Sequence, residues 1–302
     1  STQAQQIWAN AVRAMYPDKY LLYGPTNNLQ GYNPITYTPF VTYMLEEAEY
    51  AQDNLMSAFC VGNENLISSA HTNGGITMDS LVRSSNVVTA TRAAGHGLTT
   101  GEYIFISGAT PSSFNVADST TLETVQATVI NSTTFTYPST GSDESATGTI
   151  KMNWSALETV RKVKASAVLA RAVFTRGPIV YSESQGWQDA WITLGITPGV
   201  DIDIWGVNGY GDGTNGDTGY TSWKATIDAC WAAFGDDMII TEHNVVQDSG
   251  NPKVFNFNHE NRGAEKYFDQ ELLRRYFYAK TLGITQIYIY GTASICRYLN
   301  II

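Results

Sequence analysis

A chain of 302 residues is long enough for one large barrel or two ordinary domains, and its 43% of hydrophobic residues can supply a sizeable core. The chain is acidic, with a net charge of -10, so it has no electrostatic attraction to a nucleic-acid backbone or an anionic membrane. The sequence also has no apolar run long enough to cross a membrane. Neither a nucleic acid nor a membrane is therefore expected as a partner.

Helix-like and strand-like segments alternate along the chain, with one interruption. An apolar face of helical period predicts each helix, and a continuous apolar run predicts each buried parallel strand. The predicted elements are a helix over 3–15, a strand over 19–23, a helix from Thr38-Pro39 to about Gln52, a strand over 55–61, a helix capped by Asn153 or Ser155 and reaching about Phe174, a strand over 178–181, a helix over 187–194, a strand over 202–207, a helix over 222–234 capped by Thr221 or Ser222, a strand over 238–241, a helix over 261–282 and a strand over 284–290. Six units of strand and helix predict an α/β fold that forms most of a barrel.

The interruption covers residues 77–151, which are rich in Ser, Thr and Val and contain none of the chain's seven Trp. Short β-like runs there are separated by Gly-containing turns, which is typical of an antiparallel all-β module. A loop of this length without structure of its own would be unusual. The sequence therefore predicts a barrel domain over 1–76 and 152–302, with an inserted β module over 77–151.

Two of the buried strand-like runs end in a glutamate. The first, Phe59-Cys60-Val61-Gly62-Asn63, precedes Glu64, and the second, Met238-Ile239-Ile240-Thr241, precedes Glu242. Barrels of alternating strands and helices place their catalytic groups at the carboxyl ends of strands. A pair of carboxylates so placed suggests glycoside hydrolysis. The alternative is that both glutamates are structural and lie near the N-termini of the helices that follow.

These residues resemble the large clan of retaining (β/α)8-barrel glycoside hydrolases. In that clan an Asn-Glu pair ends strand 4 and supplies the acid/base, which Asn63-Glu64 matches. The nucleophile ends strand 7, which Glu242 matches, and a tyrosine after strand 6 bonds it, which Tyr210 matches. The resemblance implies a (β/α)8 TIM barrel, a double-displacement mechanism, binding of the sugar 2-hydroxyl by Asn63, and no cofactor.

The sequence also departs from that clan. In that clan a Trp often follows strand 8, but this chain has no Trp there. Tyr290 is predicted to stack on the sugar in its place. Counting back from strand 4 makes 19–23 the third strand, so strands 1 and 2 are missing together with an arginine that the clan often places there. We therefore expect the chain to be a fragment, with the missing strands supplied by upstream sequence or by another chain.

Other candidate binding residues follow predicted strand ends. Glu183 is predicted to contact substrate or to hydrogen-bond a neighbouring site residue, and Trp187 is predicted to stack on a sugar. The Gly-rich run over 209–217 lacks the spacing of a nucleotide-binding loop, so we interpret it as a flexible rim loop rather than a calcium site. Scattered cysteines and histidines predict neither a disulfide framework nor a metal site.

The inserted segment resembles a β module that is common in phage virion proteins. The pattern is carried by His96-Gly97-Leu98, Gly101-Glu102, Ile106-Ser107-Gly108, Phe114-Asn115 and Phe135-Thr136-Tyr137, with Glu102 in place of the usual Asp. The two resemblances together imply a phage-tail glycosidase that acts on a bacterial surface or matrix polysaccharide, located on the virion or outside the cell, with other tail segments as partners. The alternative is a non-catalytic barrel of a virion that binds saccharide or serves as a structural part.

Overall fold

The structure is a computed structural model. It describes residues 2–15, 17, 20–24, 40–63, 75–116, 125–184, 188–197, 199–209, 216–243, 273–284 and 286–289. The fold is mixed α/β, and the chain divides into two compact units. The first unit comprises Ser1–Val180 and Asp189–Thr197, and the second comprises Tyr181–Gln188 and Pro198–Ile302.

The described elements alternate in the order that the sequence predicts. The helices are α1 (Thr2–Met15), α2 (Phe40–Asp53), α3 (Ala156–Val173), α4 (Gln188–Thr193), α5 (Gly216–Phe234) and α6 (273–282). The strands are β1 (Leu22–Tyr23), β2 (Ala58–Asn63), β3 (Ile76–Thr77), β4 (Ser80–Ser84), β5 (Val87–Thr91), β6 (Tyr103–Ser107), β7 (Val125–Gln126), β8 (Thr128–Asn131), β9 (Thr134–Pro138), β10 (Glu144–Ser145), β11 (Lys151–Trp154), β12 (Ile179–Ser184), β13 (Ile204–Gly209), β14 (Met238–His243) and β15 (Ile287–Ile289).

A parallel sheet in the first unit runs in the order β1-β2-β12, of which this unit holds Ile179–Val180. Leu22 pairs with Ala58 in parallel register, and the Phe59 N–H donates to the Pro178 carbonyl at 3.1 Å. The first five residues of β2 are buried, so both faces of the strand are covered. Burial on both faces explains why this strand is a continuous apolar run in the sequence.

Strand β2 begins three residues later than predicted, because α2 ends in a capping motif. The Met56 N–H donates to the Ala51 carbonyl at 3.0 Å, and the Leu55 N–H donates to the Gln52 carbonyl at 3.3 Å. Leu55 takes a left-handed conformation with φ of 57°, a position where glycine is usual. Because leucine is apolar, the sequence pattern places Leu55 in the strand that follows, and the predicted strand starts at residue 55.

Strands β3 to β11 form two antiparallel sheets, and we refer to residues 75–154 as the β module. One sheet has the order β10-β4-β5-β9-β8 and the other has the order β3-β11-β6-β7. Apolar side chains from both sheets form one core, with Leu81, Ile104 and Phe135 fully buried. Lys151 pairs with Thr77, so the two ends of the predicted insertion are neighbours in one sheet. Whether the β module is a separate domain stays a prediction.

Several residues of the sequence pattern noted in this segment make contacts in the core of the β module. The buried His96 ring accepts from the Leu98 N–H at 3.1 Å and lies edge-on to Phe135. The Tyr137 hydroxyl donates to the Phe114 carbonyl at 2.8 Å. The pattern is therefore structural in this chain.

Helix α3 begins at the end of the β module. Ser155 caps it, because its hydroxyl accepts from the Glu158 N–H at 3.3 Å, which decides between the two predicted caps. The Glu158 carboxylate accepts from the Tyr103 N–H of β6 at 3.1 Å. Burial raises the pKa of Glu158, whereas the Tyr103 N–H and the charge of Arg161 oppose that rise. The first turn of α3 is thus tied to the β module.

In the second unit, the strand order is β12-β13-β14-β15, and the β13–β14 and β14–β15 pairs are parallel. The predicted cap of α5 at Thr221 or Ser222 is wrong, because the helix already starts at Gly216. The first turn of α5 contains glycines at 216 and 219, and glycine is a poor helix former, so the sequence does not predict a helix there. Tertiary context overrides this propensity in the folded chain. Trp205 of β13 stacks on Phe234 at the end of α5, with ring centroids 4.6 Å apart.

Candidate active site

Polar side chains meet at the carboxyl ends of three neighbouring strands in the second unit. The Ser182 hydroxyl of β12 donates to Asn208 Oδ1 of β13 at 2.7 Å, and the Thr241 hydroxyl of β14 donates to the same oxygen at 2.9 Å. The Ser182 and Thr241 hydroxyl oxygens are also 2.6 Å apart. Ser182 and Asn208 are buried. We call these three residues the polar trio.

A β-bulge separates Thr241 from the regular pairing of β13 and β14. Val207 pairs with Ile240, but the next residue, Asn208, pairs with Glu242, so Thr241 is the extra residue of β14. Bulges re-aim the side chains around them and are common next to active sites. The bulge therefore lies immediately before Glu242, the residue that the sequence analysis predicts to be the nucleophile.

Gly206 of β13 provides the space that Thr241 occupies. A Cβ atom at position 206 would lie 2.5 Å from Thr241 Cγ2 and 2.8 Å from its hydroxyl oxygen. Contacts this short are not tolerated, so any larger residue at 206 would displace the threonine. The packing of the bulge thus depends on a glycine in the neighbouring strand.

Glu183 lies on the opposite face of β12 from Ser182, because side chains alternate along a strand. It is completely buried, and its carboxylate accepts from the Tyr181 hydroxyl at 2.8 Å. Tyr181 in turn contacts the Trp205 ring, with centroids 5.4 Å apart. The Glu183 carboxylate is thus buried and bonded to a tyrosine of its own strand.

In the first unit, β2 ends at Asn63, which is partly buried. Of the other predicted site residues, Glu242 is described as the fifth residue of β14, by its backbone. The residues that lie outside the described part of the chain are Glu64, Tyr210, Trp187 and Tyr290. The structure therefore describes Asn63, Glu183 and the backbone of Glu242.

The polar trio was not singled out as functional by the sequence. A signal is nevertheless present, since each member is the polar residue that follows the mainly apolar first part of its strand. A serine or threonine in such a place is also a common strand terminus, so only the hydrogen bonds among the three residues distinguish them.

Within the described residues, no group of three His, Cys, Asp or Glu side chains is arranged to hold a metal ion. Cys60 and Cys230 are buried thiols outside any disulfide. None of the described helices is both long and apolar enough to span a membrane.

No protein-family model matches the sequence, and no curated protein matches it significantly. Among solved structures, the chain is similar to one titled as a GH113 beta-1,4-mannanase. That similarity covers 96% of this chain and 68% of the mannanase chain, at 8% sequence identity and a TM-score of 0.46.

Proposed function

We propose that this chain is a retaining glycoside hydrolase with Glu242 as its nucleophile. The observation that carries the proposal is the carboxyl end of β14, where Glu242 directly follows a bulge at Thr241 and pairs with Asn208. Active sites of parallel α/β folds lie at the carboxyl ends of strands. The polar trio that converges at this end gives it the hydrogen-bonding character of a site, whereas the first residues of these strands are mainly apolar.

The proposed acid/base is Glu64, which directly follows the end of β2 at Asn63. In the first step Glu64 protonates the glycosidic oxygen while the Glu242 carboxylate attacks the anomeric carbon. The leaving group departs with that proton, and a covalent glycosyl-enzyme remains. In the second step Glu64 takes a proton from water, the water oxygen attacks the anomeric carbon, and the bond to Glu242 breaks. Double displacement of this kind works when the two carboxyl groups are about 5–5.5 Å apart.

The remaining site residues take supporting roles in this proposal. Asn63 binds the sugar 2-hydroxyl, Tyr210 hydrogen-bonds the nucleophile, and Trp187 and Tyr290 form sugar platforms. Glu183 is fully buried and bonded to Tyr181, which favours a hydrogen-bonding role in the core over contact with substrate. The parallel strands described here are proposed to belong to a (β/α)8 barrel.

We propose a bacterial surface or matrix polysaccharide as the substrate, and a phage virion as the setting. The support is the β module, whose pattern residues resemble a module common in virion proteins. The acidic charge of the chain, -10, also suits a neutral or cationic glycan better than a polyanionic one.

The test is a hydrolysis screen with aryl glycosides and purified bacterial polysaccharides. The wild-type protein should release sugar, and Glu242→Gln should reduce the rate by at least about 1,000-fold while leaving saccharide binding intact, because it removes the nucleophile but keeps the shape. Glu64→Gln should impair substrates with poor leaving groups most, since they depend on protonation. Glu49→Gln, an exposed residue of α2, is the control and should keep full activity.

Binding of a polysaccharide without turnover by the wild-type protein would overturn the proposal. In that case the non-catalytic saccharide-binding barrel would be the better account.

A further inference from the structure

We propose that the polar trio is a positioning network that holds the bulge of β14 and thereby orients Glu242. For its catalytic consequence this inference rests on the proposed function above. The trio spans three neighbouring strands, and Thr241, the bulged residue itself, is bonded to Asn208 at 2.9 Å and lies 2.6 Å from the Ser182 hydroxyl oxygen.

The bulge needs stabilising contacts, because β14 could instead pair with β13 in a regular register that differs by one residue. If the bulge relaxed, Thr241 would pair with Asn208, and Glu242 would move one place along β13. A slip of one residue turns every following side chain to the other face of a sheet. In the structure the trio makes its hydrogen bonds with Glu242 opposite Asn208, and Thr241 is bonded to Asn208 although it is the extra residue of β14. We expect these bonds to favour that register.

The proton count shows that the trio positions rather than donates to substrate. Ser182 and Thr241 have one hydroxyl proton each, and the structure gives them three oxygen–oxygen contacts of 2.6–2.9 Å within the trio. Both protons are therefore used inside the cluster. Neither hydroxyl has a proton to offer a sugar or a leaving group, so these are positioning residues and not catalytic ones.

The decisive variant is Thr241→Val, which keeps the shape of the side chain and removes the hydroxyl. It should lower kcat by about 100-fold, as expected when a reacting group is misplaced by about 1 Å, with KM changed less than about twofold. Thr241→Ser restores the hydroxyl and should recover most of kcat. Thr226→Val is the matched control, because that hydroxyl bonds a helix carbonyl, Ser222 O, at 3.2 Å in α5; its kcat should equal that of the wild-type protein.

A second variant displaces Thr241 by a steric clash and removes no polar group. Gly206→Ala leaves all three polar groups in place but puts a Cβ 2.5 Å from Thr241 Cγ2. It should reproduce the loss of kcat and the unchanged KM of Thr241→Val. Circular dichroism and thermal unfolding of each variant establish that it is folded before its kinetics are interpreted.

Crystal structures of the wild-type protein and Thr241→Val separate this inference from the proposed function. Loss of the bulge in the variant, with Asn208 now opposite Thr241, would support the inference even if the wild-type protein proved inactive on every glycan. A retained bulge, or a Thr241→Val enzyme with wild-type kcat, would overturn it even if Glu242 proved to be the nucleophile.

Discussion

At the scale of single residues, Tyr23 and Glu47 form a buried pair in the first unit. The Tyr23 hydroxyl donates to the Glu47 carboxylate at 2.5 Å. Burial raises the pKa of Glu47, and the nearby Glu46 adds to this, while the hydrogen bond from Tyr23 opposes it. Burial also raises the pKa of Tyr23 far above its ordinary value, so the tyrosine keeps its proton.

The pair gives folding stability a pH dependence of definite sign. The folded protein holds the Glu47 proton more tightly than the unfolded chain, whose glutamates titrate near pH 4 (about 4.3). This stabilisation is complete below the unfolded pKa and is lost as pH rises through the folded one. Glu47→Gln removes the titration, so the wild-type free energy of unfolding should fall relative to that of the variant as pH rises above about 4.

Urea unfolding at several pH values measures this difference. Glu49→Gln, on the exposed side of α2, is the matched control for the loss of a carboxylate from this helix. A wild-type curve that rises relative to Glu47→Gln over this range would contradict the assignment.

Arg83 is the second residue whose removal should be costly. Its guanidinium is completely buried in the β module, 2.7 Å from the Glu144 carboxylate, and it donates to the Ser142 carbonyl at 2.8 Å. It also lies over the Phe114 ring, 4.2 Å from the centroid. Arg83→Gln should lower the free energy of unfolding by about 1–3 kcal/mol, because it removes hydrogen bonds made by a charged group and the contact with the Phe114 ring.

Thermal and urea unfolding test this value against Arg176→Gln, a substitution at an exposed arginine of the same unit that should change stability by less than about 0.5 kcal/mol. Equal effects of the two substitutions would show that the contacts of Arg83 do not stabilise the fold.

At the scale of elements, the β module should fold without the rest of the chain. Its two ends pair with each other at Thr77 and Lys151, and its core draws on both of its sheets. A fragment of residues 75–154 should show a β-type circular dichroism spectrum and one cooperative unfolding transition. An unfolded fragment would mean that the bonds of α3 to the module, from Lys162 to Glu102 and from Glu158 to Tyr103, are needed for folding.

The order and type of elements could be predicted from the sequence, but several boundaries could not. Continuous apolar runs marked β2, β13 and β14 because parallel strands are buried on both faces. Leu55, in a left-handed helix cap, and Gly216, at the start of α5, misled the prediction because tertiary contacts override local preference there. A glycine at position 55 and a strong helix former at position 216 would have given the correct boundaries of β2 and α5.

The candidate site shows the same division. The place of Glu242 near the end of a buried strand followed from the sequence, since an apolar run that stops at a carboxylate is a local signal. The polar trio did not follow, because its members are separated by 26 and 33 residues along the chain and meet only through strand order. A bulge likewise leaves no mark in a single strand, as it exists only relative to its neighbour.

At the scale of the whole molecule, the chain combines two features. The backbone of Glu242 follows a bulge in β14, and two antiparallel sheets form the β module between β2 and α3. The pattern residues of the β module make packing and hydrogen-bond contacts within its core, whereas the carboxyl ends of β12, β13 and β14 carry the polar trio. The central claim is therefore the chemistry of Glu242.

Covalent trapping tests that claim most directly. The protein is incubated with a 2-deoxy-2-fluoro glycoside of the sugar that the hydrolysis screen identifies, and its peptides are analysed by mass spectrometry. The account predicts a glycosyl adduct on Glu242 in the wild-type protein and none in Glu242→Gln, because a retaining enzyme forms an ester at its nucleophile. Turnover without any adduct, or an adduct on a different carboxylate, would contradict it.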